Sequence, residues 1–150
     1  MAESYLEDMR VGQVFRSGRM RVTVEDIKAF AAKFDPQPFH LDEATARDSL
    51  FGGLAASGWH TAAITMRLIV DAEFKPAGGH IGARIEQMSW PRPVRPGDEL
   101  RVESELLEVR PSESKPGYGW IKVRTTTLNQ NDEPVQVYVG NLIVKRRPGN

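Results

Sequence analysis

Apolar residues fall at helical spacing in the first half of the chain and in alternation in the second half. Ile27, Phe30, Ala31 and Phe34 stand at i, i+3, i+4 and i+7, one face of a helix, with Thr23 placed to cap it. That helix is predicted to stop near Phe34, because Pro36 and Pro38 disfavour helical backbone in the residue before each. A second, short helix is predicted from after Asp42 to about Ser49, with Gly52 and Gly53 as punctuation. A long third helix is predicted from Gly58 to about Glu73. Trp59, Ala62, Ala63, Met66, Ile69 and Val70 form its main apolar face, widened by Ile64 and Leu68. A helix apolar on nearly every side must be enclosed by something.

The second half supplies the enclosure. Strands are predicted over Ile81–Trp90, Glu99–Arg110, Tyr118–Gln130 and Val135–Lys145, and Gln13–Val22 can add another. In the last of these Val135, Val137, Val139 and Ile143 alternate with Gln136, Tyr138 and Gly140, which predicts the valine face inward. Pro96-Gly97-Asp98 and the stretch from Gln130 to Pro134 are turn chemistry between antiparallel neighbours. The expectation is an α+β domain in which a curved antiparallel sheet wraps one long helix, the hot-dog arrangement. Such a sheet leaves edges, and pairing with a second copy hides one, so a homodimer or a larger homo-oligomer is the expected state.

Composition narrows the function. At 150 residues the chain fits one domain, 1–150, with no linker or repeat. Twenty basic and 20 acidic residues cancel, leaving no global field to draw the chain onto nucleic acid or a membrane surface. The terminal Lys145-Arg146-Arg147 run is too short to change that. Without cysteine there is no disulfide, thiolate metal site or thiol nucleophile, and three scattered histidines make no zinc site. The N-terminus lacks a signal-peptide pattern and the most apolar stretch is broken by Arg67, so a cytoplasmic location is expected.

The chemically informative segment is Phe34-Asp35-Pro36-Gln37-Pro38-Phe39-His40-Leu41-Asp42. Two prolines predict a stiff, non-helical loop able to hold Asp35 and His40 at a set separation, as a paired acid and base require. Phe34, Phe39 and Leu41 are expected to desolvate the pair and move its pKa values toward neutrality. His60, two residues into the long helix, is expected to be a satisfied, partly buried histidine, and His80 to lie in a loop.

Here the sequence resembles the MaoC-like dehydratases and (R)-specific enoyl-CoA hydratases. Asp-x-Gln-Pro-x-His is similar to their Asp-x-Asn-Pro-x-His signature. The opening from Tyr5 to Gly12, the Phe51-Gly52-Gly53 and Ala56-Ser57-Gly58 blocks, and the stretch from Trp90 to Asp98 extend the likeness over nearly the whole chain. The resemblance implies that Asp35 and His40 activate a water that adds to a trans-2-enoyl thioester. It implies that the backbone N–H of Gly58, at a helix start, binds the thioester oxygen. Gln37, Phe39, Ser57 and Trp59 are the implied substrate-contacting residues, and no cofactor is implied beyond the coenzyme A of the substrate.

The chain also departs from the family pattern. Gln37 replaces the signature Asn, Ser57 stands where the hydratases usually carry His, and Met66 stands where some carry Ser. Trp59 either walls the acyl pocket or packs as core. Arg84, Arg92 and Arg95 are candidates to meet coenzyme A phosphates. The rival readings are a hot-dog thioesterase and a non-catalytic acyl-CoA-binding subunit. The long helix carries no acid before Asp71, which counts against the thioesterase, and the Asp35/His40 pair counts against the binding subunit.

Overall fold

Thr23 opens the first helix as expected: its hydroxyl accepts a hydrogen bond from the Asp26 N–H, and α1 runs Val24–Phe34. In the computed structural model, which describes residues 2–149, β1 (Val14–Arg21) precedes α1, and α2 (Pro38–Leu41) and α3 (Glu43–Arg47) follow it. The long helix is α4 (Gly58–Asp71), ending two residues early. Then come β2 (Ile81–Ser89), β3 (Glu99–Pro111), β4 (Tyr118–Leu128) and β5 (Pro134–Lys145).

The strands form one antiparallel sheet in the order β1-β3-β4-β5-β2, so β1 and β2 are its edges. With α4 against one face, this is the hot-dog fold. One core cluster joins Ile27 of α1, Ile64 and Leu68 of α4, and Leu100 and Val102 of β3. A second lies under a 3-10 turn at Leu6–Asp8, where Leu6 and Met9 meet Leu106, Ile121 and Val144. That turn is tied to the end of β5: Arg146 reaches Glu7 at 3.0 Å and Arg147 reaches Asp8 at 2.6 Å. Among the described residues no helix is long and apolar enough to cross a membrane.

Three expectations are corrected. The segment after α1 is not wholly non-helical, because α2 is one helical turn whose first residue is Pro38, a position where the missing N–H is no loss. The side of α4 facing the sheet carries Thr61, Ile64, Thr65 and Leu68, while Trp59, Met66 and Val70 of the predicted main face stand exposed. Threonine can be buried there because its hydroxyl bonds a carbonyl one turn back, as Thr65 does to Thr61 at 2.8 Å. In β5 the valine face is not the inward one beyond Val135: Val137, Val139 and Ile143 are only partly buried, while Gln136 is fully buried and donates to Thr65 Oγ1 of α4 at 3.1 Å.

The second core cluster should carry a large share of stability. Leu106→Ala removes a side chain with no exposed surface and should cost about 2–5 kcal/mol in urea denaturation. A loss under about 1 kcal/mol would show that this end of the sheet collapses around the gap.

Candidate active site

Asp35 is the C-cap residue of α1, its N–H bonded to the Ala31 carbonyl at 2.8 Å. The turn into α2 then carries the chain to His40, which is buried, with Nδ1 2.6 Å from the Ala55 carbonyl oxygen. A carbonyl only accepts, so Nδ1 carries the hydrogen and the ring is oriented with Nε2 toward Asp35. Nε2 and Asp35 Oδ2 are 3.3 Å apart. In the neutral ring Nε2 holds a lone pair, so a nitrogen and a carboxylate oxygen converge as two acceptors. Such a pair can grip a molecule that donates twice, and can take a proton from it onto Nε2 with the charge stabilised by Asp35.

Burial is the largest single influence on the Asp35 carboxyl and raises its pKa. Hydrogen bonds from Gln37 and Ser57, with the His40 ring, together outweigh it, and the net direction is down from the usual 3.8. The expected drift of this carboxylate toward neutrality is therefore overturned, since bonds to the charged form win over desolvation. A depressed folded pKa also stabilises the fold above pH 3.8, and that contribution is lost as pH falls through the lower folded value.

Ser57 is nearly fully buried and caps α4, its Oγ accepting from the Trp59 N–H at 3.2 Å. Its carbonyl takes the N–H groups of His60 at 2.9 Å and Thr61 at 3.0 Å. The N–H of Gly58 is left as the unspent donor of this first turn among the described residues, at the positive end of a helix dipole. A Cβ on Gly58 would lie 2.7 Å from Cε2 of Trp90, so only glycine lets that indole rest against the helix start.

A cavity of about 240 Å³ brings these groups together, its walls including Asp35, His40, Ser57, Gly58, Trp59 and Trp90. Trp59 is thus cavity wall and not core, with 62% of its surface exposed. Gln37 and Phe39 stand behind the cavity. Gln37 donates to Asp35 Oδ1, and Phe39 packs edge-on to His40 with ring centroids 4.6 Å apart. A second cavity, about 80 Å³, lies beside Met66, Ile69, Tyr138 and Leu142; its walls include His80 but no carboxylate, so the acid–base chemistry belongs to the first.

Each of the three candidate arginines has a partner within the protein. Arg95 donates to the carbonyls of Phe51, Gly53 and Leu54 and clamps the loop leading to α4. Arg92 lines the cavity and pairs with Glu133 at 3.0 Å, and Arg84 pairs with Glu86 at 3.5 Å. His60 is buried and stacked on Phe30 at 4.7 Å, and its Nδ1 has no partner, so it is not the satisfied histidine expected. Sequence reasoning missed Trp90 as a wall; its signal was a lone tryptophan closing a strand beside Pro91 and Pro93.

A curved sheet wrapped on a long helix defines a hot-dog domain, here with an Asp–His pair beside the first turn of that helix. Residues 8–128 match the model of the MaoC like domain, and the chain belongs to that family. The Bacillus subtilis protein YdeM is 35% identical over 93% of this chain and 96% of its own length. A crystal structure of a MaoC-like dehydratase from Rhodospirillum rubrum is 56% identical with a TM-score of 0.93, covering 97% of this chain and 99% of that one. The R-hydratase PhaJ1 of Pseudomonas aeruginosa is 26% identical with a TM-score of 0.75, covering 95% of this chain and 86% of that one.

Ser57→Ala removes both the cap of α4 and a bond to Asp35. It should cost about 0.5–2 kcal/mol of stability, and the Asp35 carboxyl should titrate at higher pH than in the wild type when followed by NMR. An unmoved Asp35 titration would mean that the Gln37 amide and His40 hold the carboxylate by themselves.

Proposed function

We propose that this chain is a hydro-lyase that reversibly adds water to a trans-2-enoyl-CoA to give the (R)-3-hydroxyacyl-CoA. The observation that carries the reading is the convergence of His40 Nε2 and Asp35 Oδ2, 3.3 Å apart, in the cavity at the start of α4. A water there donates one hydrogen to each acceptor, leaving an oxygen lone pair for the β-carbon of the enoyl group. As the C–O bond forms, the water's proton passes to Nε2 and electrons move onto the thioester oxygen; the imidazolium then returns that proton to the α-carbon as the enolate collapses, which leaves His40 neutral again. The unspent Gly58 N–H receives the oxygen at the stage where it is most negative, and one such donor contributes about 3–4 kcal/mol to a transition state. The (R) hand rests on the likeness to R-hydratases. No cofactor is called for beyond the coenzyme A of the substrate, and a cytoplasmic location fits the sequence pattern.

A homodimer belongs to the same proposal. The edge strand β2 exposes Ile81 and Ile85, and the outward side of α4 exposes Met66 and Val70. A second copy covers both the open edge and the apolar stripe. Ile85→Lys should shift the mass measured by light scattering from twice 16.8 kDa toward 16.8 kDa. A wild-type protein that runs as a monomer at micromolar concentration would refute the dimer.

The catalytic test is loss of enoyl-thioester absorbance with crotonyl-CoA. Asp35→Asn and His40→Ala should each lower kcat/KM by about 10²-fold or more. With its pKa held down, Asp35 should add no limb to the pH–rate profile above pH 3.8. Activity that survives both substitutions would sink the mechanism, and thiol release in place of hydration would turn the reading to a thioesterase.

A further inference from the structure

Trp90 follows directly on β2 and is held in an unusual way. Its indole N–H donates to Gln136 Oε1 at 2.9 Å. Gln136 has no exposed surface, and its amide N–H₂ donates to Thr65 Oγ1 on α4 at 3.1 Å. Thr65 Oγ1 in turn meets Thr127 Oγ1 of β4 at 2.6 Å and donates to the Thr61 carbonyl at 2.8 Å. A glutamine wholly removed from water is costly unless its amide is bonded, and here both ends of the amide are used. The chain of bonds runs from the core outward and ends on an indole that is 42% exposed.

Filling space alone would not need that chain, since a phenyl ring packs without any N–H. What the bond to Gln136 adds is orientation. The oriented ring occupies the volume that a side chain on Gly58 would take, with three indole carbons 2.7–3.0 Å from the Cβ position. Trp59 closes the corner from the helix side, its ring centroid 5.6 Å from that of Trp90 at an interplanar angle of 80°. Both indoles line the cavity that holds Asp35 and His40.

We infer that Trp90 is a specificity-determining wall that bars substituents on the α-carbon of the enoyl thioester, and that Gln136 is its positioning residue; this rests on the hydratase reading above. An oxygen bound at the Gly58 N–H brings the carbonyl carbon beside the indole. The β-carbon must face Asp35 and His40, so a branch on the carbon between them turns away from that pair and meets the ring. An unbranched α-carbon, with its single flat hydrogen, passes under it. Gln136 acts through Trp90 by keeping the ring from swinging clear.

The test compares trans-2-butenoyl-CoA with trans-2-methyl-2-butenoyl-CoA, which differ by one α-methyl group, as substrates of the wild type, Trp90→Phe and Gln136→Met. The wild type should favour the unbranched substrate. Trp90→Phe should raise the kcat/KM ratio of branched to unbranched by about tenfold or more, the range one methyl group commands in a fitted pocket. Gln136→Met, which keeps the core volume, should move the ratio the same way by about threefold or more. A ratio unchanged in Trp90→Phe, or a lowered melting temperature as the sole effect of both variants, would overturn the inference and leave Trp90 as packing. Failure of the wild type to hydrate either substrate would instead overturn the hydratase reading, and the inference with it.

Discussion

A helix laid against one face of a curved sheet must offer that sheet a surface it can cover completely, and α4 does so with two threonines alternating with two aliphatic residues. Thr65 is the point where the two layers are bonded as well as packed, since it touches Gln136 of β5 and Thr127 of β4. Polar contacts inside a core are directional, and a fully satisfied set allows one register where aliphatic packing alone would tolerate several. The position of α4 along its axis is thereby settled, and with it the place where its first turn opens. Everything chemical in this molecule is arranged around that opening.

The loops that surround the opening are held mainly through main-chain oxygens. Ala55 orients His40, and the carbonyls of Phe51, Gly53 and Leu54 gather on the guanidinium of Arg95. Backbone acceptors are tolerant of side-chain change, so the pair can be kept in place while the walls of the cavity vary. Asp35 is treated differently: side chains from Gln37, Ser57 and His40 hold its carboxyl in the charged form despite burial. The site thus separates two tasks, with backbone contacts setting geometry and side-chain contacts setting charge.

The parts of this design that were legible in the sequence are those with a local cause. Thr23, the spacing from Ile27 to Phe34 and the prolines after it place α1 and its end, and the Asp35/His40 spacing marks the segment that forms the pair. The facing of α4 was not legible, because ranking residues by hydropathy puts Trp59 and Met66 ahead of Thr61 and Thr65. A threonine inside a helix carries its own bonding partner one turn back, which such a ranking ignores. Gln136 was hidden for a related reason, since its burial depends on Thr65, far away along the chain. Arg95 reads in the sequence as a candidate for phosphate, and its hold on three carbonyls shows only once the loop is folded round it.

The two ion pairs that fasten Arg146 and Arg147 to Glu7 and Asp8 hold the 3-10 turn and the end of β5 together at one pole of the sheet. The cavity opens at the other pole, where β4 has run its length from Tyr118 to Leu128 and Thr127 bonds Thr65 of α4. Attachment and chemistry are therefore kept apart. A load hung on Glu7, Asp8, Arg146 or Arg147, such as a bulky label or a binding partner, would pull on that corner without crossing the mouth of the site.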